Sequence, residues 1–346
     1  MADVAARAGV SRALVSTVFR GVPGAGPATR ERVLQAAADL GYKVDNRARL
    51  LRSSRTKLVG VVFRVQDAFH AAVVQALYAT AAARGYDLVL SATTPERSET
   101  AAAESLLNDR CEALILVSPQ MPESDLTALA RRTPTIVVAR RIRSEALDMV
   151  MTADREVVRT AMEHLVCLGH RNIAHLDGRS IHGATDRRRA YRTLMRRYGL
   201  ERHTKVYAGG NTEVDGMRSA ELVLAEPDRP TAIIAFNDRS AVGLLFGLQR
   251  AGVRVPQDIS VIGYDDIAMA ALPFIDLTTV GQDAGATAQQ AFERVAGRLD
   301  DNAPAGNEGL VPPYLAVRST TAEPASARRP PGSGPGALAA RPADAV

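Results

Sequence analysis

Arg12, Ala13, Ser16, Thr17 and Arg20 fall on one side of a short helical pattern that starts just after Gly9-Val10-Ser11. Val15 and Val18 take the inward side, with Leu14 and Phe19 at its margins, so the polar set faces out. A helix presenting guanidinium and hydroxyl groups in this way can meet base edges and phosphates in a DNA major groove, and Ser11 stands where it would cap the helix. Bond-making chemistry has no comparable support. The chain contains no G-x-x-x-x-G-K-[ST], no helix-opening G-x-G-x-x-G, no G-x-S-x-G, no H-E-x-x-H and no C-x-x-C. His164 and His170 are six residues apart, which does not suit a helical metal pair, and no further ligand cluster accompanies them. Catalysis, a metal and a cofactor are therefore not expected.

The outward set needs a small scaffold, and the flanking residues provide one. Asp3 to Ala8 reads as a helix, Gly9 supplies a turn residue that tolerates positive φ, and Arg12 to Phe19 forms the second helix. A third helix has Pro27 in its first turn, Val33, Leu34, Ala37 and Leu40 as its apolar face, and Gly41 as its stop. Charge is segregated to match. Residues 1–58 carry 11 basic and 4 acidic side chains, whereas the other 288 carry 32 and 34. A compact basic head on a nearly neutral body is the footprint of phosphate neutralisation.

Further along, apolar runs alternate with helix-length amphipathic stretches. Leu58 to Phe63, Leu88 to Leu90, Ala113 to Val117, Thr135 to Val138, Ile173 to Leu176, Ala232 to Phe236 and Ile259 to Ile262 read as strands of parallel sheets. More than 200 residues is long for one such sheet, which favours two α/β subdomains with a cleft between them.

The runs DVAARAGVSRALVS, RERVLQAAADLGY, EALILVSP, HLVCLGHRNIAHLDG, RPTAIIAFNDRSAVG, VPQDISVIGYDDIA and DLTTVGQD, in this order, resemble LacI-type bacterial transcription regulators from Asp3 to about Thr321. The resemblance implies an α/β protein: an all-α helix-turn-helix head over residues 1–44, a hinge helix and linker over 45–57, a periplasmic-binding-protein-like core over 58–321, and a disordered tail over 322–346. The core's two subdomains would exchange chain near residues 157, 288 and 320. It also implies a homodimeric repressor on a pseudo-palindromic DNA operator, with a small-molecule effector controlling the affinity. Base readers would be Arg12, Ala13 and Thr17. The hinge, Asp45 to Arg52, would place Arg47 on DNA and wedge Leu51 into the minor groove. Thr17 stands where relatives commonly carry arginine, Leu14 replaces a threonine, and Val44-Asp45 replaces Pro-Asn. Only Met1 and Ala2 precede Asp3, which leaves a start a few residues upstream open.

Ligands of open α/β sheets sit beyond the carboxyl ends of strands. The pocket candidates are therefore Phe69, His70, Ala139, Arg140, Arg187, Asn237, Asp238, Asp265 and Gln282. The position where relatives often hold a sugar-binding aspartate is Ala139, another aspartate is displaced to Asp154, and Asn211 stands where an aromatic ring is common. With Arg140, Arg141 and Arg187 near the cleft, an anionic or otherwise non-pyranose effector is an expectation beside a sugar. Cys111 and Cys167 read as buried thiols, no apolar stretch reaches 18 residues, and the amino terminus carries no secretory pattern, all consistent with the cytoplasm. Two other classes compete. A periplasmic-receptor-like binder would lack the basic head, and an enzyme with an appended head would need a reactive cluster.

Overall fold

The computed structural model describes residues 1–19, 21–42, 55–300, 303–306 and 308–325. They divide into two units, one within residues 1–56 and one from residue 57 onward. In the first, α1 (Ala2–Ala8), α2 (Arg12–Phe19) and α3 (Pro27–Asp39) enclose a core built from valine and alanine. Gly9 ends α1 at φ 64°, a left-handed conformation that costs glycine nothing and lets α2 leave at a steep angle. The Ser11 hydroxyl accepts the Leu14 N–H at 3.2 Å, as an N-cap should. Arg30 of α3 donates to the carbonyls of Val18 and Val22, both at 3.3 Å, tying the end of α2 to the third helix. The expected apolar face of α3 is corrected in part. Val33 and Ala37 are buried, but Leu34 and Leu40 are exposed and Ala36 takes the inner position. The buried cluster takes Val33, Ala36 and Ala37 from α3.

The second unit contains two six-stranded sheets. The first has the order β11-β5-β4-β3-β1-β2, from β1 (Leu58–Arg64), β2 (Asp87–Thr93), β3 (Ala113–Val117), β4 (Thr135–Val138), β5 (Asp148–Met151) and β11 (Glu308–Leu310), all parallel. The second has the order β12-β10-β9-β8-β6-β7, from β6 (Ile173–Asp177), β7 (Lys205–Ala208), β8 (Ala232–Ile234), β9 (Ser260–Asp265), β10 (Thr279–Gly281) and β12 (Tyr314–Ala316). Only β12 of this sheet runs antiparallel to its neighbour. Central strands such as ALILV of β3 are buried along their whole length, as a sheet covered on both faces requires. Around the first sheet lie α4 (Ala68–Ala83), α5 (Glu99–Asn108), α6 (Glu123–Ala130) and α11 (Ala284–Leu299); around the second lie α7 (Asp154–Cys167), α8 (Ala184–Arg197), α9 (Glu213–Leu224) and α10 (Asp238–Arg250). Helices α9 and α10 pack backbone to backbone, because a Cβ on Gly243 would overlap the Glu213 carbonyl.

The chain passes between the sheets at 152–153, 282–283 and 311–313, a few residues ahead of the points near 157, 288 and 320 expected from sequence. Each helix or strand joins its new sheet from its first residue, so the passage falls in the short joint before it. The strands at 148–151, 205–208, 279–281, 308–310 and 314–316 escape a reading based on apolar runs, being three or four residues long or led by polar groups such as Asp148 and Thr279. The tail does not begin at Ala322 as expected: its N–H donates to Ser260 Oγ at 3.1 Å and its carbonyl lies 2.8 Å from His170 Nε2. Cys111 is buried, with its thiol pushed up to about 12 by desolvation, but Cys167 is exposed. No helix among the described residues is long and apolar enough to cross a membrane.

Candidate functional site

On the head, Ser11, Arg12 and Ala13 are exposed, and Ser16 and Thr17 half-buried, along α2. The Thr17 hydroxyl donates to the Ala13 carbonyl at 3.1 Å. Arg20, Arg47, Leu51 and the rest of the expected hinge lie outside the described residues.

In the core, the carboxyl ends of both sheets converge on a cavity of about 150 Å³. Phe69, Arg140, Arg187, Asn237, Asp265 and Gln282 all line it. Two of the candidates do not. His70 turns into the first subdomain, where Nδ1 accepts the Arg64 N–H at 2.9 Å and burial lowers its pKa to about 4, leaving it neutral. Asp238 lies wholly buried beneath the floor: Thr279 Oγ1 donates to Oδ1 at 2.5 Å and the Ile267 N–H to Oδ2 at 2.8 Å, while burial raises its pKa to about 7. Both sit inside the first turn of a helix whose direction aims them at the sheet rather than at the opening.

Capping and lining coincide at two places. Asp67 accepts the Phe69 N–H at 3.1 Å to start α4, and Asn237 accepts the Ser240 N–H at 2.9 Å to start α10. Both also face the cavity, Asn237 while donating to the Asn211 carbonyl at 3.2 Å. Ser118, Ala139 and Asp265, which follow or end β3, β4 and β9, have φ values of 45°, 57° and 116°. Left-handed conformations at non-glycine residues cost free energy and cluster where side chains must be aimed at a ligand.

Arg187 holds the centre. Its Nε donates to Asp154 Oδ1 at 2.7 Å and its Nη1 to the Phe236 carbonyl at 2.7 Å, and the guanidinium lies 3.9 Å from the Tyr264 ring centroid and 4.7 Å from that of Phe236. Desolvation works against this buried charge, but Asp154, Tyr264 and Asp265 outweigh it and raise its pKa. Arg140 is engaged too, with Nη1 donating to the carbonyls of Pro119 at 2.9 Å and Met121 at 2.6 Å. Both arginines are thus partly engaged within the protein, Arg187 through Nε and Nη1 and Arg140 through Nη1. Asp265, desolvated and near Asp238, has its pKa raised well above the carboxylate range, and its Oδ1 accepts from Gln282 Nε2 at 2.8 Å. The lining carries Arg64, Arg140, Arg141 and Arg187 against Asp67, Asp154, Asp186 and Asp265.

Asp154, His182 and Tyr264 also line the cavity without having been chosen as candidates. His182 was within reach of the same reasoning, since it lies in the connection that follows β6. Tyr264 sits inside a strand, where residue type carries no such signal.

A basic helix-turn-helix unit ahead of a two-sheet core with a polar cavity at the carboxyl ends of its strands defines a DNA-binding regulator with a ligand-sensing domain. Residues 1–45 match the family described as bacterial regulatory proteins, lacI family, and residues 162–321 match a periplasmic binding protein-like domain. The HTH-type transcriptional regulator GalR of Escherichia coli K12 is 34% identical over 312 residues, 87% of this chain and 89% of that relative. A LacI transcriptional regulator from a Rhodococcus species is 41% identical over 77% of this chain and 98% of its own, with a TM-score of 0.74. The lac repressor dimer bound to operator and the anti-inducer ONPF is 28% identical, covers 92% of this chain and 98% of its own, and has a TM-score of 0.81. The chain belongs to the lacI family of bacterial regulatory proteins, and it is a transcriptional regulator.

Proposed function

We propose that this regulator is an operator-binding repressor that acts in the cytoplasm as a homodimer, without enzymatic activity, and that a small effector in the core cavity sets its affinity for DNA. The observation that carries the reading is one chain joining a helix that presents Arg12, Ala13, Ser16 and Thr17 outward to a cavity lined from two subdomains. One small head makes few base contacts, whereas two related by a dyad read half-sites about 10 base pairs apart or a multiple of that. The exposure of Val214 and Leu222 on α9, Phe246 on α10, and Leu272 and Phe274 beyond β9 supports a protein partner surface on one subdomain. The lac repressor structure, a dimer on its operator, supports the same assembly.

For the effector, the short polar groups of Asn237 and Gln282, an Asp265 carboxyl held above the carboxylate range, and an Arg187 partly engaged by Asp154 and the Phe236 carbonyl favour a compact neutral molecule rich in hydroxyl groups. Asp265, Gln282, Asn237 and the remaining edge of Arg187 would bind it. Binding better to the DNA-competent arrangement makes a ligand a corepressor, and binding the alternative makes it an inducer. The test is selection of duplexes from a random library by the full-length protein, followed by calorimetry with neutral sugars, organic acids and sugar phosphates. A pseudo-palindrome is expected, together with a response to neutral polyols that Q282A, altered in the cavity, abolishes. Salt-sensitive binding without sequence enrichment overturns the operator reading, and a response only to acids or phosphates overturns the effector reading.

A further inference from the structure

Next to the cavity, a second concavity of about 370 Å³ opens between the first turn of α7 and the outer face of α8. Along α8, Asp186, Arg189, Ala190, Thr193, Leu194 and Arg197 follow the spacing that puts residues on a single helix face. Ala190 and Leu194 are buried and form its floor with Met151, while Arg189 and Arg197 stand exposed at its sides. Arg155, from the first turn of α7, and Arg141, from the end of β4, complete a ring of guanidinium groups.

Ion pairing does not cancel this ring. Among the described residues, Arg155 and Arg197 have no carboxylate partner, and Arg189 has Asp186 at 3.5 Å, both well exposed. Arg141 pairs at 2.9 Å with Glu308, which is not part of the groove wall. Asp154, shared with the cavity, is neutralised from the other side by Arg187 at 2.7 Å. An apolar floor flanked by four arginines, of which Arg155 and Arg197 have no carboxylate partner among the described residues, is complementary to an anionic group carried on an apolar body.

We propose that this groove, which adjoins the effector cavity and shares Arg141, Met151, Asp154 and Asp186 with its lining, is a second ligand site, for a small organic anion. Its carboxylate or phosphate group is held by Arg155, Arg189 and Arg197, and its apolar body rests on Met151, Ala190 and Leu194. Arg155, Arg189 and Arg197 belong to the groove alone and do not line the cavity.

Titration calorimetry of the full-length protein with phenyl phosphate, benzoate and the neutral benzyl alcohol tests it. Saturable binding of one or both anions, and none of the alcohol, is expected; whichever anion binds more tightly identifies phosphate or carboxylate as the preferred group. Replacing both exposed arginines in R189Q/R197Q keeps side-chain length and is expected to weaken binding at least about tenfold. Q282A, altered in the cavity, is expected to bind the anions as the parent does. The proposal is overturned by absence of saturable binding up to concentrations on the order of 10 mM, or by equal response to benzyl alcohol. Undiminished binding in R189Q/R197Q also overturns it, and loss of binding in Q282A alone would place the anion in the cavity instead.

Discussion

The head and the core solve opposite problems. In the head, eight buried valines and alanines support three short helices, and the residues proposed for function lie on the outside of one of them. In the core, large buried side chains such as Phe292, Leu114, Ile115 and Tyr191 hold two sheets, and the proposed effector residues come from positions as distant as Arg64 and Gln282 to meet in the interior. A reading surface needs a local scaffold and little burial, so it can rest on marginal stability. A polar cavity needs charges held out of water, so each of its groups depends on partners fixed by the whole fold.

The strongest way to break this contrast is Arg187→Met. It leaves Asp154 with its closest counter-charge removed in a largely enclosed site, and loss of about 3–5 kcal/mol from the core is expected, as for other broken buried pairs. Urea denaturation should record that loss in the core's transition, with effector response abolished and the head's helical signal unmoved. A simultaneous loss in the head would mean that the two units do not fold independently.

Acid should separate the two units next. All six histidines lie beyond residue 69, and burial lowers His175 from 6.5 to about 4. Because the unfolded chain takes up that proton first, stability complete above pH 6.5 is lost as pH falls toward 4, by roughly 3 kcal/mol for this residue. The head has no histidine and no such loss. Denaturation at pH 7 and pH 4.5 checks it: His175→Gln should flatten the core's slope, and an equal slope in the variant assigns the effect elsewhere.

The smallest effect sharpens the comparison from the other side. Ser11→Ala removes the N-cap of α2 and should cost the head about 1 kcal/mol. Operator affinity in a gel-shift assay should fall while calorimetry finds effector binding unchanged.

The same contrast governs how much the sequence revealed. The head was legible because Gly9, Ser11, Val15, Val18 and Pro27 act through local rules that a string of residues displays directly. Buried strands such as Ala113–Val117 were legible for the same reason, and seven of the nine pocket candidates line the cavity. His70 and Asp238 failed because adjacency to a strand end does not say which way the first helical turn rotates. The commitments of Arg140 and Arg187 were hidden as well, since carbonyls of Pro119, Met121 and Phe236 reach them only through tertiary packing. Family resemblance identified the positions and was silent on their partners.

The three passages between the sheets have a mechanical consequence. They leave from strands at one edge of each sheet, β11 and β5 on one side and β12 and β10 on the other. A single tether would act as a swivel with three rotational freedoms. Three short tethers side by side act as the leaves of a door hinge: twisting would have to stretch one leaf and compress another, so bending about one line is the soft motion left. A molecule that wedges or latches such a door converts its presence into one angle, a single quantity to pass on.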